Sequence, residues 1–423
     1  MDINNMLKGV SCQCGRTHTC DIDYVYIEKG AIARLTDICT THNKILLVAD
    51  ENTFGVAGER VLCALNDKDI TKVIFSGAEI LVPDEKAIGA VTSKLTDIEA
   101  IVGIGSGVIQ DLCKYVSFYN SIPYYIVATA PSMDGYASDG AAMITGGMKV
   151  TYKAGLPRAI IADTDVLCNA PMEMIKAGYG DIIGKYSALN DWKLSKLIND
   201  EYFCDYIYNL TFEQINKTLS LAEGLIKRNE ESIKALTEAL VVIGILMSFA
   251  GSSRPASGSE HHLSHFFEIT GIIDNTQYLP HGIDVAYSTV VTAGIREKLL
   301  SLPFPHKIYR QERGEYENAI KAIYKEIAES CIKLQDKVGC YTTDRAEVYI
   351  KNEPEIKEIL AEMPTEKEII KMLELVGLDV NEFYNLYGDE KISNAVVYAK
   401  DLKDRYTVLW LSYDFFGDNR NVQ

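Results

Sequence analysis

Up to Ala162 the apolar positions fall in short β-branched runs separated by amphipathic stretches, as parallel strands joined by crossover helices require. Strands are predicted at Lys44–Ala49, Lys72–Phe75, Ala100–Ile104, Tyr124–Ala128 and Ala159–Ala162, with a helix over Ala57–Leu65 after the first. Met143–Thr151, with Gly146-Gly147 inside it, reads as a hairpin inserted before the last strand. After Pro171 the apolar period becomes helical. Helices are predicted over Met172–Lys196, Thr211–Arg228, Ser232–Phe249, Ile283–Leu299, Glu315–Leu334, Glu355–Glu362 and Glu366–Val376, with Pro and Gly mainly between them. The expected fold is therefore an α/β domain with a parallel sheet over residues 1–168, followed by an all-α domain over residues 169–423. Two domains also suit a length of 423 residues, beyond the usual size of one core.

Charge narrows the partners. With 42 Lys and Arg against 59 Asp and Glu, the net charge is −17, which repels nucleic acid and anionic membrane surfaces. A phosphorylated ligand must then find local positive charge, at a helix N-terminus, a metal or a few placed basic side chains. Met1–Lys8 lacks the basic and apolar regions of a signal peptide, and the apolar run Ala239–Ala250 is too short for a membrane span and reads as a buried helix. A cytoplasmic location is expected, with the ten cysteines reduced and Cys63, Cys113 and Cys204 in packing roles. Cys12, Cys14, His18 and Cys20 are close enough in sequence to surround one metal. Their spacing departs from the Cys-x-x-Cys of structural zinc sites, and a short hairpin with reduced thiols is the preferred reading.

Three separated fragments suggest a metal site: Gly180-Asp181-Ile-Ile-Gly184-Lys185, Ser257-Gly-Ser-Glu-His261-His262-Leu-Ser-His265 and Pro280-His281-Gly282. One carboxylate and two imidazoles suit Zn²⁺, with Ni²⁺ or Fe²⁺ as alternatives, and three protein ligands leave positions open for a substrate oxygen. Each residue alone would pass as a cap or an ordinary core or surface group. Together they take four of only seven histidines in the chain.

A second constellation points to a dinucleotide. Val102-Gly-Ile-Gly105-Ser-Gly107-Val-Ile-Gln-Asp111 follows a strand and opens a helix, where glycines let the backbone approach a pyrophosphate. The spacing is Gly-x-Gly-x-Gly, not the Rossmann Gly-x-Gly-x-x-Gly, and a tight turn without ligand would also explain it. Asp50 ends the first strand, where a carboxylate accepts both ribose hydroxyls and repels a 2′-phosphate, so NAD is favoured over NADP. The stretch Thr129-Ala-Pro-Ser132-Met-Asp134-Gly-Tyr-Ala-Ser138 offers hydroxyls for nicotinamide and ribose and a carboxylate for a substrate hydroxyl, or else a polar turn.

In this order the fragments resemble the sn-glycerol-1-phosphate dehydrogenase family, within the superfamily of glycerol dehydrogenase, iron-dependent alcohol dehydrogenases and dehydroquinate synthase. The resemblance runs from Lys44 to Ala293 and more loosely to Asp404–Trp410; Ser132–Ser138 and Arg254–His261 separate it from plain glycerol dehydrogenases. It implies a dehydroquinate synthase-like fold, with a dinucleotide-binding first domain and a metal- and substrate-binding second one. It implies metal ligation and catalysis by Asp181, His261 and His281. His261 is chosen over His262 because His261 and His265 share a helix face. NAD contacts are implied from Asp50, Gly105, Gly107, Val108, Ile109, Gln110, Asp111, Thr129, Ser132 and Ser138, and substrate contacts from Asp134, Asp181 and His265. Lys185, one turn beyond Asp181, and Arg254 are the candidates for a substrate phosphate. The implied reaction is hydride transfer at C2 between dihydroxyacetone phosphate and sn-glycerol 1-phosphate, in a homo-oligomer, dimer or larger. An unphosphorylated polyol as substrate, or a dehydroquinate synthase-like lyase, are the alternatives.

Overall fold

The computed structural model describes residues 2–79, 81–146 and 148–418. The chain forms two compact units, each discontinuous in sequence: residues 1–182 with 216–252, and residues 183–215 with 253–423.

The first unit is built on a six-stranded, all-parallel sheet. An N-terminal hairpin, β1 (Val10–Ser11) and β2 (Thr17–His18), precedes β3 (Tyr24–Glu28), β4 (Lys44–Asp50), β5 (Asp69–Phe75), β6 (Ala100–Gly105) and β7 (Tyr124–Ala128). A second hairpin, β8 (Gly140–Thr145) with β9 (Met148–Lys153), comes before β10 (Ala159–Asp163). The sheet order is β3-β10-β7-β6-β4-β5. The central strands β6, β7 and β10 are buried at every position, which is why they read as continuous apolar runs in the sequence. Five of the six strands, and the inserted hairpin, lie where the pattern predicts them; Gly147 falls outside the described residues. The sixth strand, β3, was not predicted. It pairs along the sheet edge, with Ala159 opposite Tyr24 and Asp163 opposite Glu28.

Helix α1 (Glu51–Ala64) begins straight after β4 and runs further than predicted, because Asp50 and Thr53 form a reciprocal capping box. Helix α2 (Glu85–Thr92) and helix α3 (Gly107–Asn120) follow. The remainder of the chain is helical. Helix α4 (Met172–Asn199) and helix α5 (Asp205–Ser220) are each cut by the boundary between the units. Helix α6 (Glu230–Ala250) belongs to the first unit, and helices α7 (Ser259–Asp274) and α8 (His281–Leu300) to the second. Among the described residues, α6 alone is long and apolar enough to cross a membrane, with mean hydropathy 1.9, but 83% of that window is buried as a core helix. Gly251 closes it in a left-handed conformation (φ 69°), the usual role of glycine after a helix.

Candidate active site

In the second unit the two histidine motifs come together at the N-terminal turns of α7 and α8. The ring centroids of His261 and His281 lie 5.2 Å apart, and His265 lies 6.1 Å from His261 and 5.6 Å from His281. His261 and His281 offer ligand nitrogens within 4.8 Å of each other. Both rings are oriented by their other nitrogen. His261 Nδ1 meets Glu260 Oε1 at 2.7 Å, and His281 Nδ1 lies 3.4 Å from Ser264 Oγ. An imidazole whose Nδ1–H donates to a carboxylate keeps its Nε2 lone pair for a cation, the usual arrangement behind metal-binding histidines.

Glu260 is itself held. Its Oε1 accepts the Gly258 N–H at 2.8 Å, and burial pushes its carboxyl up, against the hydrogen bonds to Gly258 and the charge of Lys185. Behind it, Asp191 accepts the Ser259 N–H at 2.6 Å and pairs with Arg296 at 2.7 Å, both side chains being buried. The first turn of α7 is thus anchored by two buried carboxylates that the sequence reading did not single out. The only signal for Glu260 was its place directly before His261.

His262 differs from its neighbour. It is fully buried, its ring nitrogens have no partner among the described residues, and desolvation together with Arg405, Lys403 and Arg254 holds its pKa well down. It is a neutral core group. Arg254 is also buried, and its guanidinium is engaged: Nε donates to Glu201 Oε1 at 2.6 Å, Nη1 to the Tyr406 carbonyl at 2.8 Å and Nη2 to Ser195 Oγ at 3.1 Å. Lys185 is buried within the second unit, where its charge is felt by Glu260.

In the first unit, Asp181 is buried on α4 and its Oδ2 accepts the Asp134 N–H at 3.0 Å. The loop after β7 therefore reads onto this carboxylate through backbone as well as sequence. The same loop is braced by Lys114, whose buried ammonium donates to Asp111 Oδ1 at 3.2 Å, the Gly135 carbonyl at 3.2 Å, Ser138 Oγ at 3.4 Å and the Gly140 carbonyl at 2.8 Å. Gln110 donates to Tyr124 Oη and the Tyr136 carbonyl, both at 3.1 Å. Gln110, Asp111 and Ser138 thus support the loop, and Lys114, overlooked in the sequence, ties them together.

The glycines of the β6–α3 turn divide by role. A Cβ on Gly105 would come within 2.5 Å of Ile109, and one on Gly103 within 2.9 Å of Cys113, so both are needed for strand–helix packing. A Cβ on Gly107 would meet nothing closer than Met133 Sδ at 3.5 Å. Ser106 makes no side-chain cap bond, so the first N–H groups of α3 have no side-chain acceptor there. That end of α3 stands at the carboxyl edge of the sheet beside Thr129, whose N–H donates to the Gly105 carbonyl at 3.1 Å. Asp50 ends the neighbouring strand and is half-buried, with Oδ1 accepting the Thr53 N–H at 2.9 Å. Bare backbone, an open helix N-terminus and a strand-end carboxylate form the arrangement that receives a dinucleotide at the carboxyl ends of parallel strands.

These features define a metal- and dinucleotide-dependent oxidoreductase class. Residues 26–171 match the family model described as iron-containing alcohol dehydrogenase. Among solved structures, an alcohol dehydrogenase from Oenococcus oeni superposes with TM-score 0.60 at 13% identity, covering 92% of this chain and 95% of that one, which shows the fold. A glycerol-1-phosphate dehydrogenase of Halalkalibacterium halodurans, whose name carries NAD(P)+, is 31% identical over 96% of this chain and 98% of its own. Its counterpart in Geobacillus thermodenitrificans is 31% identical over 79% and 78%. The chain belongs to the glycerol-1-phosphate dehydrogenase family.

Proposed function

We propose that this chain interconverts dihydroxyacetone phosphate and sn-glycerol 1-phosphate, using NAD(H) in preference to NADP(H) and one divalent ion, zinc before nickel or iron. The observation that carries the reading is likeness at 31% identity along almost the whole length of a relative named for this reaction. Asp181, His261 and His281 are the proposed ligands, one carboxylate and two imidazoles. The donor chemistry fits, since Glu260 and Ser264 occupy the Nδ1 side of the two imidazoles.

Within the second unit the turn of α4 around Gly184 packs on the histidine-bearing helices: a Cβ on Gly184 would lie 2.5 Å from Val285 and 3.4 Å from Glu260, and Ser187 Oγ is 3.0 Å from Ser259 Oγ. When bound, the ion supplies Lewis acidity and the nicotinamide carries the hydride. The chain's own residues orient and exclude water. Asp134 is proposed to hold a substrate hydroxyl, with its backbone fixed on Asp181, and His265 to move the proton. Lys185 is the proposed phosphate partner. Arg254, the other candidate, is committed to Glu201 and is better read as a brace. For the cofactor, Asp50 is proposed for the ribose, the Gly105–Asp111 turn for the pyrophosphate, and Thr129, Ser132 and Ser138 for the nicotinamide half.

Initial rates with dihydroxyacetone phosphate and with dihydroxyacetone, each with NADH and NADPH, test the proposal. A large advantage for the phosphorylated ketone is expected. Comparable kcat/KM for the two ketones would leave a polyol dehydrogenase instead. Product formation without net consumption of NADH would favour the lyase reading.

A further inference from the structure

The N-terminal hairpin carries a cluster that the dehydrogenase reading does not use. Strands β1 and β2 pair at only two positions, Val10 with His18 and Ser11 with Thr17. A hairpin so short is not stable alone in water. Its turn is tight: the Cys12 N–H donates to the Arg16 carbonyl at 3.0 Å, the Gly15 N–H donates to the Cys12 carbonyl at 3.1 Å, and Gly15 takes a left-handed φ of 86°. The turn brings Cys12, Cys14 and His18 together, with a ligand atom from each within 4.8 Å of the others.

His18 is buried and its two nitrogens are distinguished. Nδ1 lies 3.0 Å from the Phe249 carbonyl, to which it donates, and the ring stacks on Phe249 with centroids 5.3 Å apart. That bond fixes the tautomer and leaves the Nε2 lone pair, 3.5 Å from Cys14 Sγ. With Zn–S of about 2.3 Å and Zn–N of about 2.0–2.1 Å at tetrahedral angles, a sulfur and a nitrogen ligand stand about 3.6 Å apart. The observed spacing is that of two corners of a zinc tetrahedron. Cys20, which the sequence placed in this group, is not among the residues whose ligand atoms lie within 4.8 Å of one another, and its buried thiol bonds to Ser248.

We propose that Cys12, Cys14 and His18 bind one soft-to-borderline cation of the Zn²⁺ class, separately from the Asp181/His261/His281 site, and that this ion fastens the hairpin to the end of α6. The fourth corner falls to water or to one more thiolate. Cys63, expected in packing, is instead exposed on α1.

The test is Co²⁺ titration of the reduced, chelator-treated full chain, read by the sulfur-to-cobalt charge-transfer band. The other proposed site has no sulfur ligand, so this band reports on the hairpin alone. It should saturate at one equivalent in His281→Ala and by two equivalents in wild type, where the other site competes for the ion, persist in Cys20→Ser, and vanish in Cys14→Ser. Absence of the band in wild type, or its survival in Cys14→Ser, overturns the proposal. Should Cys14→Ser misfold, wild-type alkylation decides: Zn²⁺ must shield Cys12 and Cys14 from iodoacetamide and a chelator must expose them. Equal labelling with and without Zn²⁺ overturns it as well.

Discussion

Alanine at Gly107 should move stability and cofactor affinity in opposite directions. The position has no left-handed φ, and the added methyl group finds only Met133 at 3.5 Å, so the folded chain accommodates it. Gly→Ala at such a position stabilises by about 0.4–1 kcal/mol, because the unfolded chain loses freedom. The same methyl group occupies the space over which a pyrophosphate would approach the first turn of α3. Loss of one charge-assisted hydrogen bond costs about 1.5–3 kcal/mol, or roughly tenfold to a hundredfold in Kd. Gly105→Ala is the internal contrast. Its Cβ meets Ile109 at 2.5 Å, so that variant should lose about 1–3 kcal/mol of stability through overpacking. Thermal melts without cofactor and NADH fluorescence titrations read the two effects. If Gly107→Ala binds NADH as wild type does, this turn is not the pyrophosphate cradle.

Glu260→Gln keeps the shape but removes the charge behind His261, and should weaken metal retention about tenfold to a hundredfold; chelator competition would show otherwise if affinity is unchanged. Asp50→Ala should weaken NADH and narrow its advantage over NADPH, and a wild type that already prefers NADPH would refute the ribose role. Asp284 accepts the Tyr387 hydroxyl at 2.9 Å, and its carboxyl is held well above the usual range by burial and by Glu268, against the Tyr387 bond and Lys391. A raised folded pKa contributes stability in full below the unfolded value and loses it as pH rises through the folded value. Asp284→Asn should therefore raise Tm by an amount that grows as pH climbs from the unfolded value to the folded one and then levels off, and a pH-independent change in Tm would contradict the assignment.

What could be read in the sequence follows from how each element is buried. Strands β4, β6, β7 and β10 are covered on both faces, and Ile-Leu-Leu-Val-Ala or Ile-Ile-Ala has few other readings. Edge strand β3, Tyr-Val-Tyr-Ile-Glu, has Tyr24 exposed and was passed over. Ser259–Asp274 is a helix whose first turns carry the histidine motif, and its polar start hides the helical period. The candidate ligands Asp181, His261 and His281 stand out in the sequence by type, because histidines are few. Their supports do not: Glu260, Asp191, Lys114 and Arg296 are buried charges, and in a sequence they resemble surface residues. Only pairing in three dimensions shows that Asp191 caps α7 while neutralising Arg296. The compact units likewise divide inside α4, a break that a change of texture near residue 168 could not reveal.

Lys185 remains the sharpest test of the substrate assignment, because its charge already has a neighbour. In the second unit two buried carboxylates, Asp191 and Glu260, stand with two buried cations, Arg296 and Lys185, so this network is balanced before any ligand arrives. A divalent ion then brings the positive charge that a phosphorylated ketone needs in a chain of net charge −17. If Lys185 serves the phosphate, Lys185→Ala should raise KM for dihydroxyacetone phosphate by about tenfold or more while barely changing the poor rate with dihydroxyacetone. If it serves Glu260 instead, the same variant leaves a buried carboxylate uncompensated. Metal retention and melting temperature then fall, and both ketones suffer equally. Steady-state kinetics on the two ketones, with metal content measured on the same samples, separates the cases. Equal losses on both substrates with depleted metal would remove Lys185 from the phosphate site.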